Sequence, residues 1–314
     1  MQSISSIESV VRHVTLRQLQ ILDAAARYQH FGRAADELHL TQPAVSIQIK
    51  QLESHVGLPL FEHLGRQVRL TPAGQEVARH ARSMLALLRE AEEAIGALRG
   101  VAGGELHLAT VSTAKYFVPK LLAEFQRGFP ELDVRLSVNN REAAVRELAQ
   151  NAVDMAIMGR PPRGLDTIAT PFAKHPLAII AAPDHPLATR RRLALKELAG
   201  DAFIIRERGS GTRSSMERVF AQRGFRPART IEISSNETIK QAVIAGMGVS
   251  FLSLHTVGPE VAAGRVAVLR VAGTPVMRDW YVIHREKKRL SPAAQAFKQF
   301  VLDGGERLLA RALG

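Results

Sequence analysis

Residues 31–60 carry the pattern that most constrains this chain: two short amphipathic helices joined by a tight turn. The apolar face of the first helix consists of Ala34, Ala35 and Leu38. Small side chains there let a second helix cross closely. Thr41 is placed to cap the second helix, and Pro43 lies in its first turn, where a missing N–H costs little. The pattern predicts a helix-turn-helix.

The second helix has two distinct faces. Its inward face carries branched apolar residues at helical spacing, namely Val45, Ile49, Leu52 and Val56. The opposite face is compact enough to lie against base edges in a major groove, and it holds Pro43, Ser46, Ile47 and Lys50. Paired short helices also occur in helical domains that do not bind DNA, so this pattern alone leaves both interpretations open.

The flanking sequence favours DNA binding. Upstream, Thr15 precedes a third helix whose predicted inward residues are Leu16, Leu19 and Leu22. Downstream, 60–62 and 67–70 are typical of short strands around a Gly65-Arg66 turn. Such a hairpin would be a wing, and Arg66 at its tip suits a phosphate or minor-groove contact.

Over about sixty residues the chain resembles the LysR-type bacterial transcriptional regulators. The motifs that carry the resemblance are Leu16-Arg17-Gln18-Leu19, Ala34-Ala35, the run 40–46, Gln51-Leu52-Glu53, Gly57, Leu60-Phe61-Glu62 and the run 69–74. The resemblance implies a base-reading face at Gln42, Pro43, Ser46, Ile47 and Lys50. Two positions at which the family often has arginine are Ile47 and His63 here, and Ile47 could contact a thymine methyl group instead of a guanine.

Composition fits a two-part regulator. With 314 residues, 46% hydrophobic and 23% charged, the chain can form two or three domains with sizeable cores. It has no cysteine, so neither a disulfide nor a thiolate site is possible, and a reducing cytoplasm is expected. No apolar run is long enough to cross a bilayer, and the first residues lack the pattern of a secretory signal.

The net charge of +12 is unevenly distributed. Residues 104–314 hold 31 of the 42 basic side chains but only 20 of the 30 acidic ones, whereas the DNA-binding segment is nearly neutral. An arginine-rich surface that aids solubility explains this excess. It is equally explained by an anionic ligand or by electrostatic help in DNA binding.

A long helix follows the wing, from Pro72 to about residue 99. Its apolar residues form a heptad seam: Val77, Ala81, Met84, Leu88, Ala91, Ile95 and Leu98. Because the helix lies between two globular segments, the seam favours an intermolecular coiled coil and hence a dimer on a pseudo-palindromic DNA site. The segment 101–104 is the predicted hinge. The family resemblance adds an antiparallel pairing of these helices and a tetramer built from two dimers.

From Glu105 onward, predicted strands and helices alternate, which indicates a doubly wound α/β fold. The predicted strands are 106–111, 132–138, 153–158, 177–182, 202–205, 229–233 and 249–254, and the predicted helices 114–127, 141–150, 211–222 and 237–245. The resemblance implies two subdomains, as in periplasmic binding proteins, with crossings near 173–176 and 276–281 and a final helix from Pro292.

The predicted architecture therefore has three parts. A winged helix-turn-helix domain, mainly α, occupies 1–72, a linker helix with its hinge occupies 73–103, and a two-subdomain α/β effector domain occupies 104–314. Within the last, subdomain I comprises about 104–173 and 279–314, and subdomain II about 174–278.

Several strand-to-helix junctions carry polar residues, where ligands of such folds bind. Ser112 and Thr113 follow one strand, and Lys115 could add charge. Their hydroxyls suit an anion or serve as an ordinary helix cap; the resemblance places an effector contact there. Arg160 follows another strand and Arg141 opens a helix, and each is either a ligand contact or simply solvated.

The richest of these segments is 205–213. Arg206, Ser210, Gly211, Thr212 and Arg213 make a glycine- and hydroxyl-rich turn at a helix start, suited to phosphate or carboxylate. Short Gly-Ser-Gly segments are also common flexible turns, but three arginines within eight residues favour an anion site. It is not a Walker loop. A neighbouring helix opens at Asn236 and Glu237 and completes the predicted effector set.

The second half narrows the family. Six further segments are informative: 112–117, 158–162, 209–213, 235–243, 252–256 and 271–275. They resemble the branch of the family that regulates RuBisCO and Calvin-cycle operons. This resemblance implies an activator of carbon-fixation genes that senses a phosphorylated metabolite or a reduced nucleotide and contacts RNA polymerase. No other cofactor is expected.

Catalysis has little support. The eleven histidines show no metal-ligand spacing, and neither a Gly-x-Ser-x-Gly elbow nor a dinucleotide fingerprint is present. Two alternatives stay open at this point: a LysR-type regulator that responds to a non-phosphorylated organic acid, and a solute-binding protein with a helical prefix.

Overall fold

The structure, a computed structural model, describes residues 13–64, 67–98 and 104–313. These residues form two compact units. The first comprises the described residues before 99 together with 150–152, and the second comprises the described residues 104–149 and 153–313. The predicted hinge residues 101–103 and the wing tip at 65–66 lie outside the described residues. In the described residues, no helix is both long and apolar enough to span a membrane.

In the described residues, three helices form the head of the first unit: α1 (Leu16–Tyr28), α2 (Phe31–Glu37) and α3 (Gln42–Val56). Each begins at a side-chain cap. Thr15 and Gln18 form a reciprocal capping box, His30 Nδ1 accepts from the backbone N–H of Gly32, and Thr41 Oγ1 accepts from that of Ala44. The helix-turn-helix and the cap at Thr41 are confirmed.

The head core joins all three helices. Val45, Ile49 and Leu52 are buried, as predicted for the inward face of α3. Leu16 corrects the prediction for α1, because its side chain is 51% exposed. The buried face of α1 is centred between Gln18 and Leu22, and at 3.6 residues per turn Leu16 lies almost opposite.

The wing is a two-stranded antiparallel hairpin, β1 (Phe61–Leu64) and β2 (Gln67–Leu70). Glu53 Oε1 on α3 accepts from the backbone N–H groups of Leu60 and Phe61, at 2.7 and 3.2 Å. The hairpin is thereby tied to the helix that carries the predicted base-reading face.

The linker helix α4 spans Pro72–Leu98. Its first turns belong to the head: Ala78 and Ala81 are buried against it, and a Cβ at Gly74 would lie 2.0 Å from the carbonyl oxygen of Leu60. Further along, large apolar side chains are exposed, namely Met84, Leu87, Leu88 and Ile95. Three of these four lie on the predicted seam, and the dimer remains a prediction.

The second unit is built on one mixed sheet, with strands in the order β4-β3-β5-β11-β6-β9-β7-β8 and with β10 also on β6. Its strands are β3 (Gly104–Val111), β4 (Leu132–Asn139), β5 (Met155–Met158), β6 (Thr167–Ala181), β7 (Ala202–Ile205), β8 (Arg229–Glu232), β9 (Val249–Ser253), β10 (Ala267–Leu269) and β11 (Val276–Arg285). The pairs β3–β4, β3–β5, β7–β8 and β7–β9 are parallel.

Between residues 104 and 313, the described part of this unit has six α-helices: α5 (Val118–Gln126), α6 (Arg141–Ala149), α7 (Gly211–Gln222), α8 (Asn236–Ile244), α9 (Gly258–Ala262) and α10 (Pro292–Leu313). The helix predicted from Ala114 begins only at Val118. Pro119 explains the late start, since proline is favoured in the first turn of a helix. The predicted helix from Pro292 is confirmed.

Two antiparallel strands, β6 and β11, run through the middle of the sheet, and the sequence patterns missed most of both. β6 contains two prolines, Pro171 and Pro176. The register of the two strands shifts between Trp280 and Tyr281, next to the pair Tyr281–Pro171, which marks a bulge there. Phe172 and Trp280 belong to one hydrophobic core of this unit, and Leu177 to another. The two strands thus carry the chain between the cores.

Candidate functional site

The predicted base-reading residues lie on one side of α3, opposite its buried stripe. Gln42, Pro43 and Lys50 are exposed, Ser46 is half-buried, and Ile47 is 54% exposed. More than half of this apolar residue is therefore accessible on a polar face, and a groove of DNA would bury it. Arg66, the predicted wing contact, lies outside the described residues.

A cleft of about 340 Å³ opens where β3, β5 and β7 end, at the N-termini of α6 and α7. It is lined by Val111, Ser112, Thr113, Asn140, Arg141, Gly159, Arg160, His175, Arg206, Ser210, Gly211, Thr212 and Arg278. Eight of the predicted effector residues, from four separate segments, are therefore brought together: Ser112, Thr113, Arg141, Arg160, Arg206, Ser210, Gly211 and Thr212. No carboxylate belongs to this lining.

The turn before α7 is a helix start capped by the side chain of Ser210. Ser210 Oγ accepts from the backbone N–H groups of Thr212 and Arg213, and Gly209 has φ of +84°. A Cβ at Gly209 would also lie 2.6 Å from a carboxylate oxygen of Glu142. Glycine is therefore required here, and the helix N-terminus it shapes faces the cleft with its partial positive charge.

Arg206 lies at the back of the cleft and is only 3% exposed. It donates to both carboxylate oxygens of Glu207, at 2.7 and 2.9 Å, to Asn236 Oδ1 at 2.5 Å and to Ser112 Oγ at 2.9 Å. Asn236 Nδ2 in turn donates to the carbonyl oxygen of Ser112. With four of its five N–H donors used in these bonds, Arg206 joins the ends of β3 and β7 to the start of α8 and positions the cleft wall.

The sequence patterns did not single out Arg278, whose guanidinium connects three parts of the cleft. It donates to Ser215 Oγ at 2.5 Å and also contacts the carbonyl oxygens of Gly159 and Gly211. Burial, together with Arg218, Arg160 and Arg141, lowers the pKa of Arg278 to about 10.

Arg278 belongs to an arginine cluster, defined as Arg141, Arg160, Arg163, Arg218 and Arg278, around a second cavity of about 560 Å³ that adjoins the cleft. Burial and neighbouring arginines also lower the pKa of Arg141 and of Arg160. Within the described ranges, no carboxylate forms an ion pair with any of the five. The cluster is thus an uncompensated positive site.

His175 is a second lining residue that the patterns missed. It is 2% exposed, and its ring stacks on Trp280 with centroids 3.8 Å apart. Both of its ring nitrogens are buried and lack a hydrogen-bond partner in the described structure. Burial, with Arg278 and His255, lowers the pKa of His175 well below its usual value.

Four predicted effector residues do not line the cleft. Lys115 lies over the ring of Tyr116, and Arg213 is paired with Glu217 and Glu232. Glu237 accepts from Tyr116 at 3.3 Å and pairs with Lys240 at 3.0 Å, while Asn236 supports Arg206. No cluster of potential metal ligands is found among the described residues.

The chain is similar to known proteins in both of its units. Residues 16–75 match the family described as "Bacterial regulatory helix-turn-helix protein, lysR family", and residues 99–306 match the "LysR substrate binding domain" family. The chain is 48% identical to the HTH-type transcriptional regulator CfxR of Cupriavidus necator, over 98% of this chain and 97% of that protein. It is also 48% identical to the RuBisCO operon transcriptional regulator of Allochromatium vinosum, over 95% of this chain and 99% of that protein. These relatives are named as regulators, which agrees with the expectation that the chain is not an enzyme.

Two solved structures bear on the two halves of the chain. The regulatory domain of Synechocystis CcmR in complex with 2-PG is 39% identical, with a TM-score of 0.62, and covers 64% of this chain and 96% of its own. Full-length CbnR complexed with its target DNA is 25% identical, with a TM-score of 0.64, and covers 92% of this chain and 99% of its own.

Proposed function

The chain belongs to the LysR family of bacterial transcriptional regulators, and on that premise we propose that it controls carbon-fixation genes of the RuBisCO type in response to a small phosphorylated anion. The anion would bind in the cleft of the effector unit where β3, β5 and β7 end. As a DNA-binding protein of a bacterial family, it would act in the cytoplasm.

The arginine cluster carries this proposal. Like charges that crowd together without carboxylate partners destabilise the free protein, and such an arrangement is typical of a site that an anion completes. A phosphate offers several acceptor oxygens, which suit both the fork of a guanidinium and the N-terminus of α7. The adjoining hydroxyls of Ser112 and Thr113 add polar contacts.

The names of the relatives support the choice of target genes. Two relatives at 48% identity over nearly the whole chain are the regulator CfxR and a RuBisCO operon regulator. The complex of the Synechocystis regulatory domain with 2-PG supports a phosphorylated ligand class.

DNA would be bound by an oligomer. The exposed apolar residues of α4 support a dimer through the predicted seam, and two heads would then face a pseudo-palindromic site. A tetramer of two such dimers, and contact with RNA polymerase during activation, are further parts of the proposal. Anion binding would shift the population of head arrangements and hence the bending of the promoter.

Footprinting and mobility-shift assays on a promoter of RuBisCO-type carbon-fixation genes test the proposal, with and without phosphoglycolate as the small phosphorylated anion. We expect phosphoglycolate to change the protected length or the bend angle, and Arg278→Gln to abolish the response while the basal footprint persists. Arg226→Gln, on an exposed arginine outside the cleft and the cluster, serves as the matched control. A response to non-phosphorylated organic acids alone would favour a regulator of another pathway, and no response to either class would overturn the proposal.

A further inference from the structure

We propose that His175 contacts the anionic effector directly and takes up a proton from solvent when the effector binds, so that binding strengthens as the pH falls. This inference rests on the proposed function, because it requires an anion in the same cleft. Nothing in the sequence patterns pointed to this histidine.

The ring of His175 is a buried polar group without a partner. It is 2% exposed, lines the cleft, and has no hydrogen bond at either nitrogen within the described structure. Leaving a buried donor or acceptor unpaired costs free energy, and native proteins satisfy nearly all such groups. A ligand in the cleft is the group positioned to satisfy this one.

Its neighbours hold the ring against the cleft. The ring stacks on Trp280 at an interplanar angle of 17°, and Trp280 is itself fixed by a hydrogen bond from Nε1 to His255 Nδ1 at 3.4 Å. Gly159 leaves room at the ring edge, since a Cβ there would lie 2.6 Å from His175 Nδ1. The ring therefore cannot turn toward another partner without breaking this packing.

The charges that face the ring favour its neutral form in the free protein. Arg278 lies opposite His175 in the register of β6 and β11, His255 packs at a centroid distance of 6.1 Å, and further arginines line the same cleft. These are Arg141, Arg160 and Arg206. Burial and this positive field lower the pKa of His175, so the ring is uncharged near pH 7.

A doubly charged anion reverses that balance. Negative charge beside the ring raises its pKa, and the protonated ring, with an N–H at each nitrogen, always has a charged donor for the anion. The proton comes from solvent and no covalent bond forms. By linkage, the affinity then changes by up to about tenfold per pH unit between the pKa values of the free and bound states.

Sulfate is the probe for the test, since it keeps two negative charges across the working range. Trp280 is the chain's single tryptophan, so its fluorescence reports on the stacked His175 ring. We expect sulfate to bind the wild-type protein about 5–20-fold more tightly at pH 6 than at pH 8, by the same linkage. His175→Gln, which cannot titrate, should show a much flatter profile.

His185→Gln is the matched control, because His185 lies in the same unit but pairs with Asp201 away from the cleft. If His175→Gln does not fold, ¹⁵N-histidine spectra of the wild-type protein give the same answer, with the His175 ring expected to become doubly protonated on sulfate saturation. Equal pH profiles in wild type and His175→Gln, or a ring that stays neutral when saturated, would overturn the inference while leaving an effector site in place. Failure of both sulfate and phosphoglycolate to bind would reject the inference together with the proposed effector.

Discussion

Arg206 donates a 2.9 Å hydrogen bond to Ser112 Oγ, which joins the end of β7 to the end of β3 across the cleft. The same guanidinium neutralises Glu207, whose side chain is 18% exposed. Replacing Arg206 would leave that carboxylate without its partner in a largely buried setting. Replacing Arg206 should therefore lower the stability of the effector unit as its main effect.

We expect Arg206→Met to lower the free energy of unfolding of the effector unit by about 3 kcal/mol, the range found when one member of a buried pair is removed. Urea unfolding followed by the fluorescence of Trp280 measures this, because Trp280 lies in that unit. Arg226→Met, on an exposed arginine, should change it by less than about 0.5 kcal/mol. Equal stability of the two variants would show that Arg206 is not structural.

The arginine cluster predicts opposite effects on stability and on binding. Arg218 is exposed and lowers the pKa of both Arg160 and Arg278. Arg218→Gln should therefore stabilise the free protein by a few tenths of a kcal/mol and weaken phosphoglycolate binding about 3–10-fold. Thermal unfolding and titration calorimetry measure the two effects. If both quantities fall together, the loss reflects damage to the fold instead of a missing charge.

Acid should destabilise the effector unit. Burial lowers the pKa of His255 to about 4, from an ordinary value of 6.5. Below about pH 6.5 this histidine is protonated in the unfolded chain but stays neutral in the folded protein. The free energy of unfolding is therefore highest at neutral pH and falls as the pH drops from about 6.5 toward 4. The expected loss is on the order of 1.4 kcal/mol per unit of pKa difference.

Unfolding curves at pH 7, 6, 5 and 4.5 measure this loss. His255→Gln keeps an acceptor for Trp280 but does not titrate, so its curve should fall less steeply than that of the wild type. His185→Gln supplies the comparison at a paired histidine. A wild-type slope retained in His255→Gln would assign the acid sensitivity to other groups.

The predicted dimer seam on α4 can be tested by placing the same substitution at two adjacent positions, one on the seam and one off it. Leu87 and Leu88 are adjacent and 60% and 46% exposed, but only Leu88 lies on the predicted heptad seam. Leu88→Glu should shift the protein toward monomers in sedimentation equilibrium, because a carboxylate in an apolar seam is costly to bury. Leu87→Glu, the same change one position away, should leave the dimer intact. Dissociation by Leu87→Glu alone would place the seam on the neighbouring face.

Local chemistry made much of the fold predictable. The caps at Thr15 and Thr41 and the inward stripe of α3 depend on residues within a few positions of one another, and those patterns were sufficient. Strands β6 and β11 were largely missed because their prolines and charges are typical of turns, whereas tertiary pairing holds them extended. The same pairing brings His175 and Arg278 together, and no local pattern records that proximity.

Local patterns were also insufficient to predict which effector residues line the cleft. Ser112 and Thr212 lie at strand-to-helix junctions, and both line the cleft. Arg213 and Glu237 lie next to such positions in sequence, but their side chains pair with Glu232 and with Lys240, respectively. Position at a helix start therefore identified the junctions, while the direction of each long side chain depended on partners from other elements.

Ile47 provides the sharpest test of DNA recognition, because it is an exposed apolar residue on a polar face. If its side chain packs against a thymine methyl group, Ile47→Ala should weaken the free energy of binding by about 1 kcal/mol at sites with thymine at that position. At sites with another base there, the change should be small. Ile47→Arg should instead favour guanine at that position. If the arginine also gains a phosphate contact, the slope of log affinity against log salt concentration should become steeper by about one unit. Selection from random operator libraries, followed by titrations at several salt concentrations, measures both changes. Leu58→Ala removes a similarly exposed leucine that lies outside α3, and it should alter neither preference nor slope. An unchanged preference at every base in both Ile47 variants would show that this residue does not face the bases.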